Sequence, residues 1–201
     1  MLSRSRLAAT AISFLAVGAV GACASASAGE APVIPDGRTE TTVYLVRHGE
    51  KMSETDRDPD LSDKGRARAE SLAVALRDSG VNMIITTDLK RTMQTAAPLA
   101  KLRHITPKVI PIGMSVQSHM NRVVDEIKSH EGATILVVGH NNTIGHIASK
   151  LAGGNIGDLC TDEYSNLLII SMTKGRVAKI LLESYGVPDP PSGSCPHLRD
   201  R

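Results

Sequence analysis

Short apolar runs alternate with amphipathic stretches along this chain, and this alternation most constrains its fold. Residues 42–46, 83–86 and 134–138 are short and rich in aliphatic and β-branched side chains, which is typical of buried strands. The stretches 62–77 and 88–102 lie between them and carry apolar residues at helical spacing. Because strands that alternate with helices form parallel sheets covered on both faces, we expect an α/β fold, a three-layer α/β/α sandwich with a mostly parallel sheet.

The remaining pattern completes one domain. It predicts a short strand at 108–110, helices at 118–129 and 142–151, and a hairpin formed by 166–172 and 176–183. Hydrophobic residues make up 41% of the 201 residues and charged residues 22%, which is a globular composition. The sequence shows neither an internal repeat nor a second domain.

The N-terminus has the layout of a secretory signal peptide. Arg4 and Arg6 precede an apolar run over 7–20, and small residues follow as far as Ala28. The run is shorter than the roughly 20 residues that a membrane-spanning helix needs. A buried N-terminal helix is the alternative interpretation of the same residues.

The stretch that ends at Cys23, Val-Gly-Ala-Cys, is also similar to a bacterial lipobox, whose cysteine is lipidated after cleavage. Soluble export and membrane anchoring through Cys23 both remain open, and both predict an exported protein, periplasmic or held in the cell envelope. The predicted organisation is a signal peptide at 1–28, a linker at 29–40, one domain at 41–185 and an irregular Pro-rich tail at 186–201.

Composition excludes one class of partner but does not decide whether the cysteines are bonded. Aromatic residues are only 2% of the chain and the formal net charge is +2, so a nucleic-acid partner is not expected. Cys160 and Cys195 remain after either cleavage, and they form either a disulfide or two free thiols.

Basic side chains follow three of the predicted strands. Arg47 and His48 come directly after the first, Arg91 follows the second, and His140 and Asn141 follow the run at 134–138. The carboxyl ends of parallel strands meet at one edge of a sheet, where ligands bind. Guanidinium groups bind phosphate oxygens in pairs, and imidazole can accept a phosphoryl group. This pattern predicts a cationic pocket for a small phosphorylated substrate.

Four sequence blocks resemble the histidine phosphatase superfamily, which has the phosphoglycerate mutase-like fold. These are Arg-His-Gly-Glu at 47–50, the Asp-x-x-Leu-Ser-x-x-Gly stretch at 58–65, Thr-Asp-Leu-Lys-Arg-Thr-Met-Gln-Thr-Ala at 87–96, and Val-Val-Gly-His-Asn at 137–141. The resemblance covers roughly residues 41–185, and the order of the four blocks makes it far more specific than any one block.

The resemblance implies roles for individual residues. His48 is the nucleophile that becomes phosphohistidine, and His140 is the second catalytic histidine. The groups that bind the phosphoryl oxygens are Arg47, Arg91, His140 and, beside them, Asn141. Glu50 takes a supporting role inside the pocket, and no metal or other cofactor is required.

The sequence departs from many relatives in one respect. They place a Glu or Asp between the second arginine and the second histidine to protonate the leaving group, whereas residues 108–118 contain no carboxylate. His119 is the nearest titratable group; a solvated surface histidine is the favoured interpretation, and a proton donor is the alternative. The missing acid resembles the short phosphohistidine phosphatase branch, and it favours substrates with good leaving groups.

The sequence therefore predicts a metal-independent phosphatase for phosphomonoesters or phosphoramidates. Phosphoglycerate mutase-type transfer and a non-catalytic envelope lipoprotein that binds phosphorylated ligands are the alternatives. The other histidines show no pairing in the sequence and are expected in surface or capping roles: His104, His130, His146 and His197.

Overall fold

The computed structural model describes residues 39–174, 178–190 and 195–200. The predicted signal peptide and all but the last two residues of the predicted linker lie outside these ranges, as does Gly175 of the predicted hairpin turn. Within these ranges, every helix is too short or too polar to cross a membrane.

A six-stranded sheet forms the centre of the domain. Its strands are β1 (Glu40–Arg47), β2 (Met83–Thr86), β3 (Lys108–Val109), β4 (Thr134–Gly139), β5 (Asn166–Thr173) and β6 (Lys179–Ser184). Their spatial order is β3-β2-β4-β1-β5-β6. β1, β2, β3 and β4 run parallel, and the predicted hairpin adds β5 and β6 antiparallel at one edge. The prediction of a mostly parallel sheet is confirmed.

The helices lie on both faces of this sheet. They are α1 (Asp63–Ala75), α2 (Lys90–Arg103), α3 (Val116–Lys128) and α4 (Ile144–Ala152), and a short 3₁₀ turn covers Leu198–Asp200. Because successive strand residues point to opposite faces, Leu45 of β1 packs with α3 and α4, whereas Val46 packs with α1 and α2. The sheet is therefore buried on both sides, and the predicted three-layer sandwich is confirmed.

Several element boundaries differ from the prediction. Ser62 is the N-cap of α1 as expected, and its hydroxyl accepts a hydrogen bond from Gly65 N at 3.1 Å. α3 begins two residues earlier than predicted because Ser115 caps it, through a hydrogen bond from Ser118 N. β1 begins at Glu40, inside the stretch predicted as linker.

The C-terminal tail is tied to the domain. Cys160 and Cys195 form a disulfide with Cα atoms 5.9 Å apart, which decides between the two alternatives that the sequence left open. Among its described residues, 185–190 and 195–200, the tail is irregular apart from the 3₁₀ turn.

Candidate active site

The strand register brings the two sequence-predicted histidines together. Arg47, the last residue of β1, pairs with Gly139, the last residue of β4, and His48 N donates to the Gly139 carbonyl at 3.0 Å. His48 and His140 therefore leave neighbouring strands side by side. Their rings are buried and meet edge to face, with centroids 5.3 Å apart at an interplanar angle of 63°.

The His48 ring is oriented by its own backbone. Nδ1 lies 2.8 Å from the Gly49 carbonyl oxygen, and since a carbonyl only accepts, Nδ1 carries the proton. Nε2 of the neutral ring then has an unprotonated lone pair. Gly49 is held in turn, because its N–H donates to Thr95 Oγ1 at 2.9 Å.

Both histidines are held in the neutral form. Burial lowers the pKa of His48 to about 2, and the positive charges of Arg47 and Arg91 act in the same direction, although the bond to Gly49 opposes them. Burial, with Arg91 and His119 as smaller contributors, lowers the pKa of His140 to about 3. Neutral imidazole at physiological pH is the form that can act as a nucleophile.

Arg91 lies in the first turn of α2 and presents a largely unpaired guanidinium. Its Nε and Nη1 are buried and have no hydrogen-bond partner among the described residues. The nearest carboxylate oxygen in an ion pair with it, Asp58 Oδ1, lies 3.9 Å from Nη1. Burial lowers the pKa of Arg91. Buried polar groups are rarely left unsatisfied, so this side chain is well suited to an anion.

Arg47 is more firmly held. Nη1 donates to the carbonyl oxygens of Cys160, Thr161 and Glu163 at 3.0, 2.8 and 2.9 Å. Nη2 donates to the Tyr164 hydroxyl at 3.2 Å, and the guanidinium carbon lies 3.9 Å from the centroid of the same ring. Nε is buried and lacks a partner within the described part of the chain.

His140 is positioned by two hydroxyls. Its Nε2 lies 3.2 Å from Thr87 Oγ1, the first residue of the block at 87–96. Its backbone N donates to Thr143 Oγ1 at 2.9 Å, at the start of α4. The sequence blocks around residues 87 and 140 thus meet in the structure.

Two other predicted site residues, Glu50 and Asn141, form hydrogen bonds with residues other than the two histidines. The Glu50 carboxylate accepts from Arg68 Nη2 at 2.8 Å and pairs with Lys64 at 3.3 Å, and these bonds lower its pKa although burial opposes them. The carbonyl oxygen of Asn141 accepts from Leu159 N at 2.9 Å, and its side chain is half-buried.

His119 is not a solvated surface residue, because its exposure is 2%. Its Nδ1 lies 3.3 Å from the Pro111 carbonyl oxygen, and burial lowers its pKa. A positive charge on His119 lowers the pKa of His140.

The other four histidines fall into two groups, two in capping positions and two in ion pairs. His104 is the left-handed C-cap of α2, and His130 contacts the Glu126 carbonyl at 2.8 Å, both as expected for capping roles. His146 and His197 pair with Asp158 and Asp162, pairings that the sequence does not show. These partners lie more than ten residues away along the chain, and only the fold brings them close.

Sequence reasoning missed Tyr164, whose ring lies against Arg47 and 6.3 Å from His48 between centroids. Tyr164 is one of three tyrosines in the chain, but it belongs to no block that signals a site. Arg68, which holds Glu50, lies between two motifs and gave no signal either.

One group has the atom types of a metal site. Ligand atoms of Cys160, Asp162 and His197 lie within 4.8 Å of one another. The Cys160 sulfur is bonded to Cys195, however, so in the disulfide form it does not offer a thiolate ligand.

The chain is similar to known proteins over part of its length. The family profile of the histidine phosphatase superfamily (branch 1) matches residues 43–112. The probable phosphoglycerate mutase GpmB of Yersinia pestis is 34% identical over 99 residues, which are 44% of this chain and 45% of that protein. The same match is found in Yersinia pseudotuberculosis. The chain thus spans less than half the length of the curated relatives it matches.

Solved structures show the same fold over most of the chain. A mycobacterial glucosyl-3-phosphoglycerate phosphatase has a TM-score of 0.57 at 15% identity, covering 73% of this chain and 98% of that one. The protein histidine phosphatase SixA complexed with tungstate has a TM-score of 0.57 at 16% identity, covering 71% and 96%. A putative alpha-ribazole-5'-P phosphatase from Escherichia coli has a TM-score of 0.59 at 14% identity, covering 72% and 96%.

Fold and site together define an α/β protein with two buried histidines and two arginines at one edge of its sheet. Residues 43–112 are similar to the histidine phosphatase superfamily, and the fold is that of the phosphatase structures described above.

Proposed function

We propose that this protein is a phosphatase that hydrolyses phosphomonoesters or phosphoramidates through a phosphohistidine on His48. One observation carries the proposal: neutral His48, with its proton on Nδ1, lies near two arginines, each with buried N–H groups that have no hydrogen-bond partner among the described residues. Such a pocket suits a phosphoryl dianion in line with a nucleophile.

In the first step, the Nε2 lone pair of His48 attacks phosphorus and the bond from phosphorus to the leaving oxygen or nitrogen breaks. The ring becomes positively charged, and the Nδ1 bond to the Gly49 carbonyl stabilises this charge. The unpaired N–H groups of Arg47 and Arg91 stabilise the charge on the phosphoryl oxygens. His140, held by Thr87, completes the pocket as a further donor after it takes up a proton or reorients.

In the second step, water attacks phosphorus, the bond to Nε2 breaks, and phosphate leaves with the ring restored to its neutral form. Return of the ring to neutrality is favoured by its burial, which disfavours the charged form.

The leaving group must depart with little assistance. No carboxylate lies in residues 108–118, and His119 carries a lowered pKa, so at neutral pH it is a weak source of protons. This supports phosphoramidates, anhydrides and acidic alcohols as substrates over sugar alkoxides.

Phosphoglycerate mutase-type transfer is the second candidate, and the names of the curated relatives favour it. The short segment between Arg91 and His140, which leaves little chain for a lid over a second phosphate-bearing substrate, argues against it. A non-catalytic phosphate-binding lipoprotein is the third, but binding alone gives no reason for a nucleophile with its lone pair free.

We also propose that the protein is exported, either soluble in the periplasm or anchored through a lipidated Cys23. The Cys160–Cys195 disulfide supports an oxidising compartment. Mass spectrometry of the mature N-terminus tests this: a start after Ala28, or a lipidated Cys23 that is lost in Cys23→Ser, is expected, and an intact Met1 in the native host would contradict export.

Phosphoenzyme trapping tests the catalytic proposal. The protein is mixed with a ³²P-labelled phosphoramidate or aryl phosphate in EDTA and quenched in alkaline detergent, because phosphohistidine is labile to acid and stable to base. We expect label in the wild type and in the control His130→Asn, none in His48→Asn, and release of inorganic phosphate.

Unlabelled wild-type protein, or label that survives in His48→Asn, would contradict the phosphohistidine mechanism. Efficient transfer of label to an added alcohol instead of water would favour the mutase.

A further inference from the structure

We propose that the Cys160–Cys195 disulfide positions Arg47 for phosphate, so that the phosphatase activity depends on whether this disulfide is intact. This inference rests on the proposed function. It adds that the disulfide positions a phosphate-binding arginine and that cleavage of the disulfide lowers the activity.

The orientation of Arg47 is set by a loop and not by the strand that carries it. All three acceptors of Nη1 are main-chain carbonyls of residues 160–163, and Nη2 is bonded to the next side chain, Tyr164. Only Nε has no partner among the residues described, and it remains for a ligand. A displacement of the loop therefore moves the Nε–H group that Arg47 can offer to phosphate.

The loop needs support, because residues 158–165 contain no helix or strand. Part of the support is internal. The buried Glu163 carboxylate accepts from Cys160 N at 2.7 Å and from Asn166 Nδ2 at 2.8 Å. These bonds fold the loop back on itself and keep its carbonyls pointed at Arg47.

The rest of the support comes from the C-terminal tail. Asp189 Oδ2 accepts from Tyr164 N at 2.9 Å, from Ser165 N at 2.8 Å and from Ser165 Oγ at 2.7 Å. Leu198 N donates to Glu163 Oε1 at 2.5 Å. The disulfide is the only covalent attachment between loop and tail among the residues described, and it joins at Cys160, whose carbonyl is itself an acceptor of Arg47.

Cleavage of the disulfide removes this attachment. A dithiol reductant supplies two electrons and two protons, the S–S bond breaks, and Cys160 and Cys195 become thiols while the reductant is oxidised to its own disulfide. Non-covalent contacts then hold the tail, among them the His197–Asp162 pair, and the loop samples a wider range of positions. Displacements of about 1 Å at a catalytic group can lower a rate by up to about 100-fold.

The experiment compares the full-length protein before and after reduction. Thiol titration verifies cleavage, and thermal melting verifies that the reduced protein is folded at the assay temperature. We expect kcat/KM for an aryl phosphate and the affinity for inorganic phosphate each to fall about tenfold, and reoxidation to restore both. Cys195→Ser should match the reduced wild type and should not respond to reductant.

A double-mutant cycle tests whether the effect acts through Arg47. In Arg47→Met, phosphate affinity is already weakened, and cleavage of the disulfide should weaken it by less than twofold. A disulfide that only stabilises the fold would instead weaken phosphate binding equally in both backgrounds. Asp189→Asn should reproduce part of the loss seen in Cys195→Ser, whereas Asp200→Asn, in the same tail, serves as the matched control.

The outcomes separate this inference from the proposed function. Oxidised wild-type protein that neither forms a phosphoenzyme nor releases phosphate contradicts the proposed function. Oxidised protein that is active, and whose kcat/KM and phosphate affinity do not change after verified cleavage, overturns the positioning role alone. An equal loss in the Arg47→Met background also overturns it.

Discussion

The ring of His48 lies edge to face against the ring of His140, with centroids 5.3 Å apart and both side chains buried at the exits of adjacent parallel strands. Two imidazoles this close, between two arginines, cannot both carry a proton at low cost. The domain therefore holds both rings neutral. We expect the stability of the fold and the reactivity of His48 to depend on pH through these two rings.

The first prediction is that the protein loses stability as pH falls below about 6.5, the pKa of histidine in the unfolded chain. The folded pKa values are lower, about 2 for His48 and about 3 for His140. Between pH 6.5 and 3 the unfolded state binds protons that the folded state does not, so acid favours unfolding. Each histidine should contribute up to about 1.4 kcal/mol per pH unit.

Urea denaturation at pH 7.0, 5.5 and 4.5 measures this slope. His48→Asn and His140→Asn should each have a shallower slope, and His130→Asn, which removes an exposed histidine, should keep that of the wild type. Equal slopes in all four proteins would show that other groups control the acid sensitivity.

The second prediction concerns Arg91→Met. Removing a guanidinium that stabilises the phosphoryl oxygens should lower kcat/KM by about 10² to 10³. The same change removes a buried charge whose Nε and Nη1 have no partner among the described residues, so the free energy of unfolding should stay the same or rise. Steady-state kinetics and thermal melting measure the two effects, and Arg66→Met on α1 is the control. A large loss of stability together with activity would assign Arg91 a structural role.

The sequence predicted the parts of the site that follow strands. β1, β2 and β4 are short apolar runs, and the register of parallel neighbours brings the residues after them to one edge, so Arg47, His48, Arg91 and His140 could be placed together. Local patterns also located α1, because the hydrogen bond of its N-cap Ser62 joins residues only three positions apart in the sequence.

The support for Arg47 could not be predicted in this way. Its acceptors are backbone carbonyls more than 110 residues away. Because every residue has a backbone carbonyl, the side-chain sequence does not show which carbonyls bind Arg47. Asp189 in the Pro-rich tail looked like part of an irregular extension, since its contacts with Tyr164 and Ser165 depend on the path of the tail across the domain. The burial of His119 depends likewise on how α3 packs.

The third prediction concerns the leaving group. With no carboxylate in residues 108–118, kcat/KM should fall steeply as the pKa of the leaving alcohol rises, and phosphoramidates and aryl phosphates should react at least about 100-fold faster than alkyl phosphates. A series of substituted phenyl phosphates measures this slope. If His119 donates the proton, His119→Asn should steepen the slope, with the largest losses for alkyl substrates. An unchanged slope in His119→Asn would leave it with a structural role, and a flat slope in the wild type would indicate an efficient acid.

The fourth prediction concerns Gly49, whose carbonyl fixes the tautomer of His48. A Cβ at this position would lie 2.8 Å from the Gly65 carbonyl oxygen and 3.0 Å from Gly65 Cα, both backbone atoms that cannot turn aside. Gly49→Ala should therefore shift the Gly49 carbonyl away from Nδ1, destabilise the protein by about 2–3 kcal/mol and lower kcat at temperatures where the variant is still folded.

Gly80→Ala is the control, because Gly80 has a positive φ of 79° but only one atom at 4.0 Å from its Cβ. It should cost about 1–2 kcal/mol and leave kcat unchanged. Denaturation and single-turnover phosphorylation separate the two effects, and equal kcat values in Gly49→Ala and wild type would show that the His48–Gly49 bond is not needed for the chemical step.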